Sequence, residues 1–142
     1  MKTADQGAGS GPGAATTADL EDGRGRRRRT LAGVSELDAE DVKIITLARS
    51  TRARAGAAEG AAVRDETGRT YAAGPVELPS LKLTALQVAV AMAVSSGAED
   101  LEAAAVVTED EAPDIAAVRD LGPKAPVLVA GPDGSVRAVL RG

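Results

Sequence analysis

The sequence predicts one α/β domain in which helices cover both faces of a mixed sheet. Helical patterns and short apolar strands follow one another in the order α-β-β-α-β-α-β-β, and such interleaving is typical of a sheet enclosed between layers of helices. The longest helical pattern is "SLKLTALQVAVAMAVSSG", Ser80 to Gly97, in which Lys82 is the one charged residue. A helix with so little charge needs cover on more than one side, which favours a central, sandwiched position.

The first predicted helix is "SELDAEDVKIITLARSTRARA", which begins near Ser35 and ends near Gly56. Ser and Asp residues at its start are N-cap candidates, and its acidic first turn and basic last turn complement the helix dipole. The stretch that follows, "GAAVRDETGRTYAAG", predicts two short strands around a turn over residues 65–68. Gly68 favours this hairpin because it can adopt the positive φ that a tight turn requires.

Three shorter patterns follow the apolar helix. "EAAAVV", Glu102 to Val107, predicts a short apolar strand. "PDIAAVRDLG", Pro113 to Gly122, predicts a helix that begins at proline and ends at glycine. "PVLVAGPDGSVRAVL", Pro126 to Leu140, predicts two strands around the turn "GPDG".

The composition of the 142 residues excludes several kinds of chemistry. There is no cysteine and no histidine, so disulfides, thiolate metal sites, the commonest metal ligand and the usual general base near neutral pH are all missing. Tyr71 is the only aromatic residue. The sequence shows neither an apolar run of membrane-spanning length nor a signal-peptide pattern, and we therefore expect a cytoplasmic protein without a membrane partner.

Charge and composition divide the chain into two parts. Residues 1–30 have a net charge of +2 and contain scarcely a large apolar side chain, whereas residues 31–142 have a net charge of −6. A segment of the first kind cannot bury enough surface to offset the entropy cost of ordering. We therefore expect a disordered tail over residues 1–30 and a folded, acidic domain over residues 31–142.

Positive charge is concentrated within the tail in the run "RGRRRR". Clustered guanidinium groups release counterions when they bind phosphates, so this run is a candidate contact for RNA or another polyanion, or for a protein partner. The alternative interpretation is a solvated linker. The residues concerned are Arg24, Arg26, Arg27, Arg28 and Arg29.

Five stretches of the chain together indicate a family. They are "GAAV" at 60–63, "TGRTYAAGPVE" at 67–77, "AVSSG" at 93–97, "AAAVV" at 103–107 and "APVLVAGPDGSVRAV" at 125–139. With these stretches in the same order, residues 38–140 resemble the small homo-oligomeric cytidine deaminases. The resemblance implies a cytidine deaminase-like three-layer α-β-α sandwich with a mixed sheet.

The resemblance also implies a place for the reaction centre, at the start of the apolar helix. Family members hydrolyse the 4-amino group of cytosine with a zinc-bound hydroxide; a Cys-Ala-Glu triplet supplies one ligand and the proton-carrying glutamate, and a Pro-Cys-x-x-Cys segment supplies two more ligands. Alignment on "AVSSG" sets Thr84 at the ligand and Leu86 at the glutamate, whereas ungapped alignment from "PVE" sets Leu86, Gln87 and Val88 there. Neither alignment supplies a zinc ligand or a proton carrier.

The second ligand pair of the family falls in "EDEAPDI", where the only candidate ligands are carboxylates. Such a cluster attracts Mg²⁺ or Ca²⁺ at most loosely. The alternative is a solvated loop whose charges complement the start of the next helix. The four residues are Glu109, Asp110, Glu111 and Asp114.

The family's nucleoside contacts are also mostly replaced. Ala57 stands at the position of an aromatic residue that would hold the pyrimidine, and Pro75 replaces the asparagine of an Asn-Val-Glu ribose contact. Val76 and Glu77 match that contact, so Glu77 is the one candidate relic of nucleoside binding. A solvated or backbone-capping carboxylate is the alternative interpretation of Glu77.

These observations predict a cytidine deaminase-like domain that has lost zinc and deamination and acts as a non-catalytic binding or oligomeric assembly module. We expect no cofactor, because the ligands of the family's zinc are absent. We also expect a homo-oligomer, a dimer or a tetramer, and an old cavity closed by apolar side chains, with Leu86 and Val90 buried. Two alternatives remain open: a hydrolytic nucleoside deaminase with an atypical site, and an RNA-associated accessory protein that uses the Arg-rich tail.

Overall fold

The computed structural model describes residues 37–142. The predicted tail with its arginine run, and the predicted first helical residues at 35 and 36, lie outside the described residues. The elements in chain order are α1 (Ala39–Ala55), β1 (Gly60–Asp65), β2 (Thr70–Ala73), β3 (Val76–Leu78), β4 (Leu81–Leu83), α2 (Ala85–Ser95), β5 (Leu101–Val107), α3 (Ala116–Leu121), β6 (Val127–Ala130) and β7 (Val136–Leu140).

The central layer is a five-stranded sheet in the order β2-β1-β5-β6-β7. Strands β5 and β6 are parallel, and the other neighbouring pairs are antiparallel. Strands β1 and β6 are buried along their whole length, because helices cover the sheet on both faces. This explains why these strands are nearly continuous runs of small apolar residues instead of alternating patterns.

The two faces of the sheet carry separate apolar cores. Helices α2 and α3 cover one face, where Leu86 and Val90 pack with Val106, and α1 covers the other face, where Ile44 packs with Leu128. The mixed sheet with helices on both sides confirms the predicted α/β sandwich.

Small residues allow α1 to lie close to the sheet. A Cβ atom on Gly60 would lie 2.2 Å from the carbonyl oxygen of Ala48 and 2.8 Å from the amide nitrogen of Arg52. Such distances are far below van der Waals contact, so only glycine fits where β1 begins beneath α1.

The predicted element order lacks one hairpin that the structure contains. The sequence predicts a helix from Ser80, but Leu81–Leu83 forms β4 and pairs antiparallel with β3, and α2 begins only at Ala85. The reason is a capping box: the Thr84 hydroxyl accepts a hydrogen bond from the Gln87 amide at 3.2 Å, and the Gln87 side chain accepts one from the Thr84 amide at 2.9 Å.

The other helices also begin later than predicted. Asp38 caps α1 by accepting a hydrogen bond from the Asp41 amide at 2.9 Å, which selects Asp38 over the alternative Ser35. Helix α3 begins at Ala116 and not at Pro113, and the Asp114 carboxylate accepts the Ala116 amide at 2.9 Å. Asp38 is therefore a side-chain N-cap, whereas the N-cap of α3 is Ile115, which has no side-chain cap, and Asp114 forms a turn just before it.

Strands β1 and β5 end at two opposite edges of the sheet, which differ in the elements that lie beside them. Antiparallel pairing sets Gly60 beside Val107 at one edge and Asp65 beside Leu101 at the other. We call the first the site edge, because α2 also begins there: the Ala85 amide donates to the carboxylate of Glu59. We call the second the turn edge, because the β1–β2 turn lies there.

Asp65 organises the turn edge from a buried position. Its side chain is 2% exposed and accepts hydrogen bonds from the Thr67 amide at 2.9 Å, the Thr67 hydroxyl at 2.7 Å, the Arg69 amide at 3.1 Å and the Tyr71 hydroxyl at 2.8 Å. Burial acts to raise the pKa of Asp65, but the hydrogen bonds from Thr67, Tyr71 and Arg69 outweigh it, so the pKa lies below its ordinary value. The ionised carboxylate is therefore part of the fold.

Substituting Asp65→Asn should lower the free energy of unfolding at neutral pH by about 1 kcal/mol, because a charged acceptor of several hydrogen bonds becomes neutral. In the unsubstituted protein the contribution of ionised Asp65 is fully present above the ordinary aspartate pKa of about 3.9. It is lost as the pH falls through the lower pKa of the folded protein.

Urea unfolding at a series of pH values should show that the difference in unfolding free energy between the two proteins becomes smaller in acid. Asp120→Asn, at an exposed carboxylate, is the control, and an equal effect of both substitutions would contradict this role of Asp65.

Candidate functional site

Two neighbouring cavities lie at the site edge, and we call the smaller one the inner cavity and the larger one the outer cavity. The inner cavity has a volume of about 120 Å³ and the outer one about 640 Å³. Glu59 and Thr84 line both and therefore form the boundary between them. The inner cavity is also lined by Leu86, Val106, Asp110, Pro113 and Asp114. The outer cavity has aliphatic walls from Ala57, Ala58, Pro75, Val76 and Leu83, and further polar groups from Glu77, Lys82 and Gln87.

The start of α2 is held by the protein's own side chains. Besides the capping box of Thr84 and Gln87, the half-buried Glu59 carboxylate accepts a hydrogen bond from the Ala85 amide at 2.8 Å. Amides in the first turn of a helix lack partners within the helix, and the helix dipole favours a negative group there. Glu59 supplies that negative group from the segment before β1, so the loop and the helix fix each other.

Leu86 lines the inner cavity and is its apolar floor, and Val90 lies one turn further along α2 in the core. Leu86 is 2% exposed and Val90 is 7% exposed, and both pack into the core between α2 and the sheet. Their predicted burial is confirmed. The predicted closure of the cavity by apolar side chains is incomplete: Leu86 is buried beside the inner cavity, but cavities of about 120 Å³ and 640 Å³ remain.

Two of the four predicted acidic residues reach the inner cavity. Asp110 and Asp114 line it, whereas Glu109 and Glu111 do not. Asp110 accepts a hydrogen bond from the Ala112 amide, and Asp114 accepts one from the Ala116 amide, each at 2.9 Å. These carboxylates thus serve local turns and the start of α3, which is the structural role that the sequence left open for them.

The residues around the inner cavity do not fit zinc. A closed zinc site is built mainly from nitrogen and sulfur donors, and the inner cavity offers the Thr84 hydroxyl and the carboxylates of Glu59, Asp110 and Asp114. Within residues 37–142, no three Asp or Glu side chains lie close enough together to hold a metal ion. The polar groups around the inner cavity are thus one hydroxyl and three carboxylates, which can form hydrogen bonds and attract positive charge.

The candidate nucleoside contacts lie on the outer cavity. Glu77 is exposed and lines it from β3, together with Ala57 and Pro75. Tyr71 lies elsewhere, with its hydroxyl bound to Asp65 at the turn edge. The described cavity therefore retains the Glu77 carboxylate but has no aromatic ring that could stack on a base.

Sequence reasoning missed Glu59 and Lys82 as members of the site, and it placed Gln87 there in only one of two alignments. The signal for Glu59 was its place directly before "GAAV" and two residues after Ala57, where the resemblance expects an aromatic residue. Lys82 and Gln87 stand out as polar residues in an otherwise apolar helical pattern. The predicted helix included Lys82, whereas the structure places Lys82 in strand β4.

The sequence model of the family described as "Cytidine deaminase-like" matches residues 37–134. The chain therefore belongs to the cytidine deaminase-like family.

Solved structures support the same assignment. The chain is similar to a cytidine deaminase from Burkholderia pseudomallei, with 26% identity and a TM-score of 0.62, covering 74% of this chain and 93% of that one. It shares the fold of a cytidine deaminase from Mycobacterium leprae, with 21% identity and a TM-score of 0.55, covering 70% of this chain and 93% of that one. A comparison with curated proteins gives no match.

Among residues 37–142, no helix is both long and apolar enough to span a membrane.

Truncating the floor of the site should destabilise the domain. Leu86→Ala should lower the free energy of unfolding by about 2–5 kcal/mol, as other core truncations do, and Leu86→Glu should also destabilise because a carboxylate would enter an apolar core. Met92→Ala on the same helix, where the side chain is 39% exposed, is the matched control and should have a much smaller effect. Chemical denaturation measures all three variants, and equal losses for Leu86→Ala and Met92→Ala would contradict the core position of Leu86.

Proposed function

We propose that this chain is a non-catalytic member of the cytidine deaminase-like family, which has lost zinc-dependent deamination and acts as a binding and assembly module. The observation that carries the proposal is the start of α2. Thr84 and Leu86 stand where the resemblance expects a zinc ligand and a proton-carrying glutamate. The Thr84 hydroxyl caps the helix and Leu86 is buried in the core.

Hydrolytic deamination requires a group that activates water and a group that moves protons. Leucine can do neither. The Glu59 carboxylate accepts a hydrogen bond from the Ala85 amide. Asp110 and Asp114 accept hydrogen bonds from backbone amides of their own turns. Each of the three carboxylates around the inner cavity therefore accepts a hydrogen bond from a backbone amide, which helps to fix its orientation.

An atypical nucleoside deaminase is the second candidate. It is favoured by the similarity to the Burkholderia cytidine deaminase and by the presence of Glu59, Asp110 and Asp114 around one small cavity. The third interpretation, an RNA-associated accessory protein, depends on the arginine run at 24–29, outside the described residues, and stays a hypothesis.

We expect the purified full-length protein to contain no stoichiometric zinc and to leave cytidine and deoxycytidine unchanged. Elemental analysis and a chromatographic assay for the uridine product measure the two properties. The double substitution Thr84→Cys with Leu86→Glu should not create activity, because the second pair of ligands would still be missing. Cytidine turnover in proportion to protein concentration, with bound zinc, would establish the atypical deaminase instead.

The assembly part of the proposal concerns the outer face of α2. No residue of Ala85–Ser95 is charged, and Met92 and Val94 are 39% and 53% exposed. An apolar, uncharged helix face matches a second copy of itself without opposing like charges. We therefore infer a homo-oligomer, a dimer or a tetramer, in which this face packs against a second copy of the chain.

Light scattering coupled to size-exclusion chromatography should show the protein as an oligomer at micromolar concentration. Val94→Glu should shift it towards the monomer, because a charge would be buried against its symmetry mate. Val42→Glu is the matched control, since Val42 is an equally exposed valine, at 47%, on α1. A monomeric unsubstituted protein, or the same shift in both variants, would contradict the proposed face.

A further inference from the structure

The outer cavity is lined by two opposite charges, Glu77 and Lys82, that form no ion pair with each other. Glu77 and Lys82 are partners in the β3–β4 register, and both line the cavity. The ion pairs within residues 37–142 are those of Arg64 with Asp41 and Glu102, so neither Glu77 nor Lys82 is paired with another described residue. A cavity with one acidic and one basic group at its wall can bind a molecule that carries both charges.

A second carboxylate lies deeper in the same cavity. One oxygen of Glu59 accepts the Ala85 amide, while its other oxygen has no hydrogen-bond partner among the described residues. Gln87 is similar: its oxygen accepts the Thr84 amide, which leaves the NH₂ group of its side chain for an acceptor. With Glu59, Glu77 and Lys82, the charged lining has one more negative than positive group, so it favours ligands with a cationic group over purely anionic ones.

The remaining walls are aliphatic, so they can pack against the carbon chain of an aliphatic ligand but offer no aromatic ring for stacking. They consist of alanine, proline, valine and leucine side chains, and the only aromatic residue of the chain is held at the turn edge by Asp65. Nucleobases are usually held by stacking on aromatic side chains, which this cavity cannot provide. Its volume of about 640 Å³ is ample for a ligand of several carbon atoms.

We propose that the outer cavity binds a small aliphatic zwitterion of the amino-acid class, with its ammonium group at Glu59 and Glu77 and its carboxylate at Lys82. This proposal rests on the proposed binding role of the domain and names the ligand class for it. The aliphatic chain of the ligand lies against the apolar walls, and no covalent step is involved.

Four commercial probes that differ by one group each test the charge recognition. They are L-lysine, 6-aminohexanoate, which lacks the α-amino group of lysine, cadaverine, which lacks the carboxylate, and hexanoate, which lacks both amines. Titrations of the full-length protein by calorimetry and by ¹H–¹⁵N NMR should show saturable binding of L-lysine and 6-aminohexanoate, with amide shifts near Glu59, Lys82 and Gln87. Cadaverine should bind more weakly, and hexanoate should not saturate.

Two substitutions assign the charges. Lys82→Met should weaken 6-aminohexanoate about tenfold, the value of a charged hydrogen bond, and should change cadaverine by less than about twofold. Glu59→Gln keeps an acceptor for the Ala85 amide and should weaken both ligands about tenfold. Lys43→Met, at an exposed lysine on α1, is the control for loss of a positive charge and should leave all affinities unchanged.

Three results would overturn the proposal. They are equal binding of hexanoate and 6-aminohexanoate, the same affinities in Lys82→Met as in Lys43→Met, and saturable binding of cytidine in a protein that does not bind the zwitterions. Zinc content and cytidine turnover are measured on the same preparation. Catalytic silence without zwitterion binding would therefore refute this ligand class alone, whereas cytidine turnover would refute the proposed loss of catalysis.

Discussion

The hydrogen bond from the Ala85 amide to the Glu59 carboxylate is the interaction on which the site depends. It joins the first turn of α2 to the segment before β1, and Gly60 follows at once, where only glycine fits beneath α1. The helices on both faces of the sheet are thus tied to one short stretch of chain. Because Glu59 lines both cavities, the boundary between them is set by this same contact.

The Glu59 carboxylate lies where the start of a helix attracts negative groups. The first amides of a helix and its dipole together create a site of positive potential, and in a family with zinc chemistry that potential can stabilise anionic ligands of a metal. Here the potential is met by Glu59 and by the capping box of Thr84 and Gln87. Amides in the first turn of α2 therefore have partners within the chain, and Leu86 is buried in the core at the same place.

The sequence was sufficient to predict the layers and the five strands of the main sheet in chain order. Buried strands such as β6 and the turn at Gly68 leave strong local patterns. It was insufficient for the start of α2. Leu81 and Leu83 continue the apolar periodicity of the helix, and whether they pair with Val76 and Leu78 depends on a hairpin partner and on the cap at Thr84. Periodicity reports which residues are apolar, but it does not report which backbone amides find partners elsewhere.

That boundary also decided how much of the site could be predicted. The positions at Thr84, Leu86 and Glu77 follow from the resemblance, whereas the role of Lys82 does not. In a helix starting at Ser80, Lys82 would lie in the first turn, where its charge opposes the dipole. In strand β4 it instead faces Glu77 across the hairpin and lines the outer cavity. Moving the start of one helix by a few residues thus converts an unfavourable surface charge into a member of a charged binding surface, which is why the ligand class could be inferred only from the folded chain.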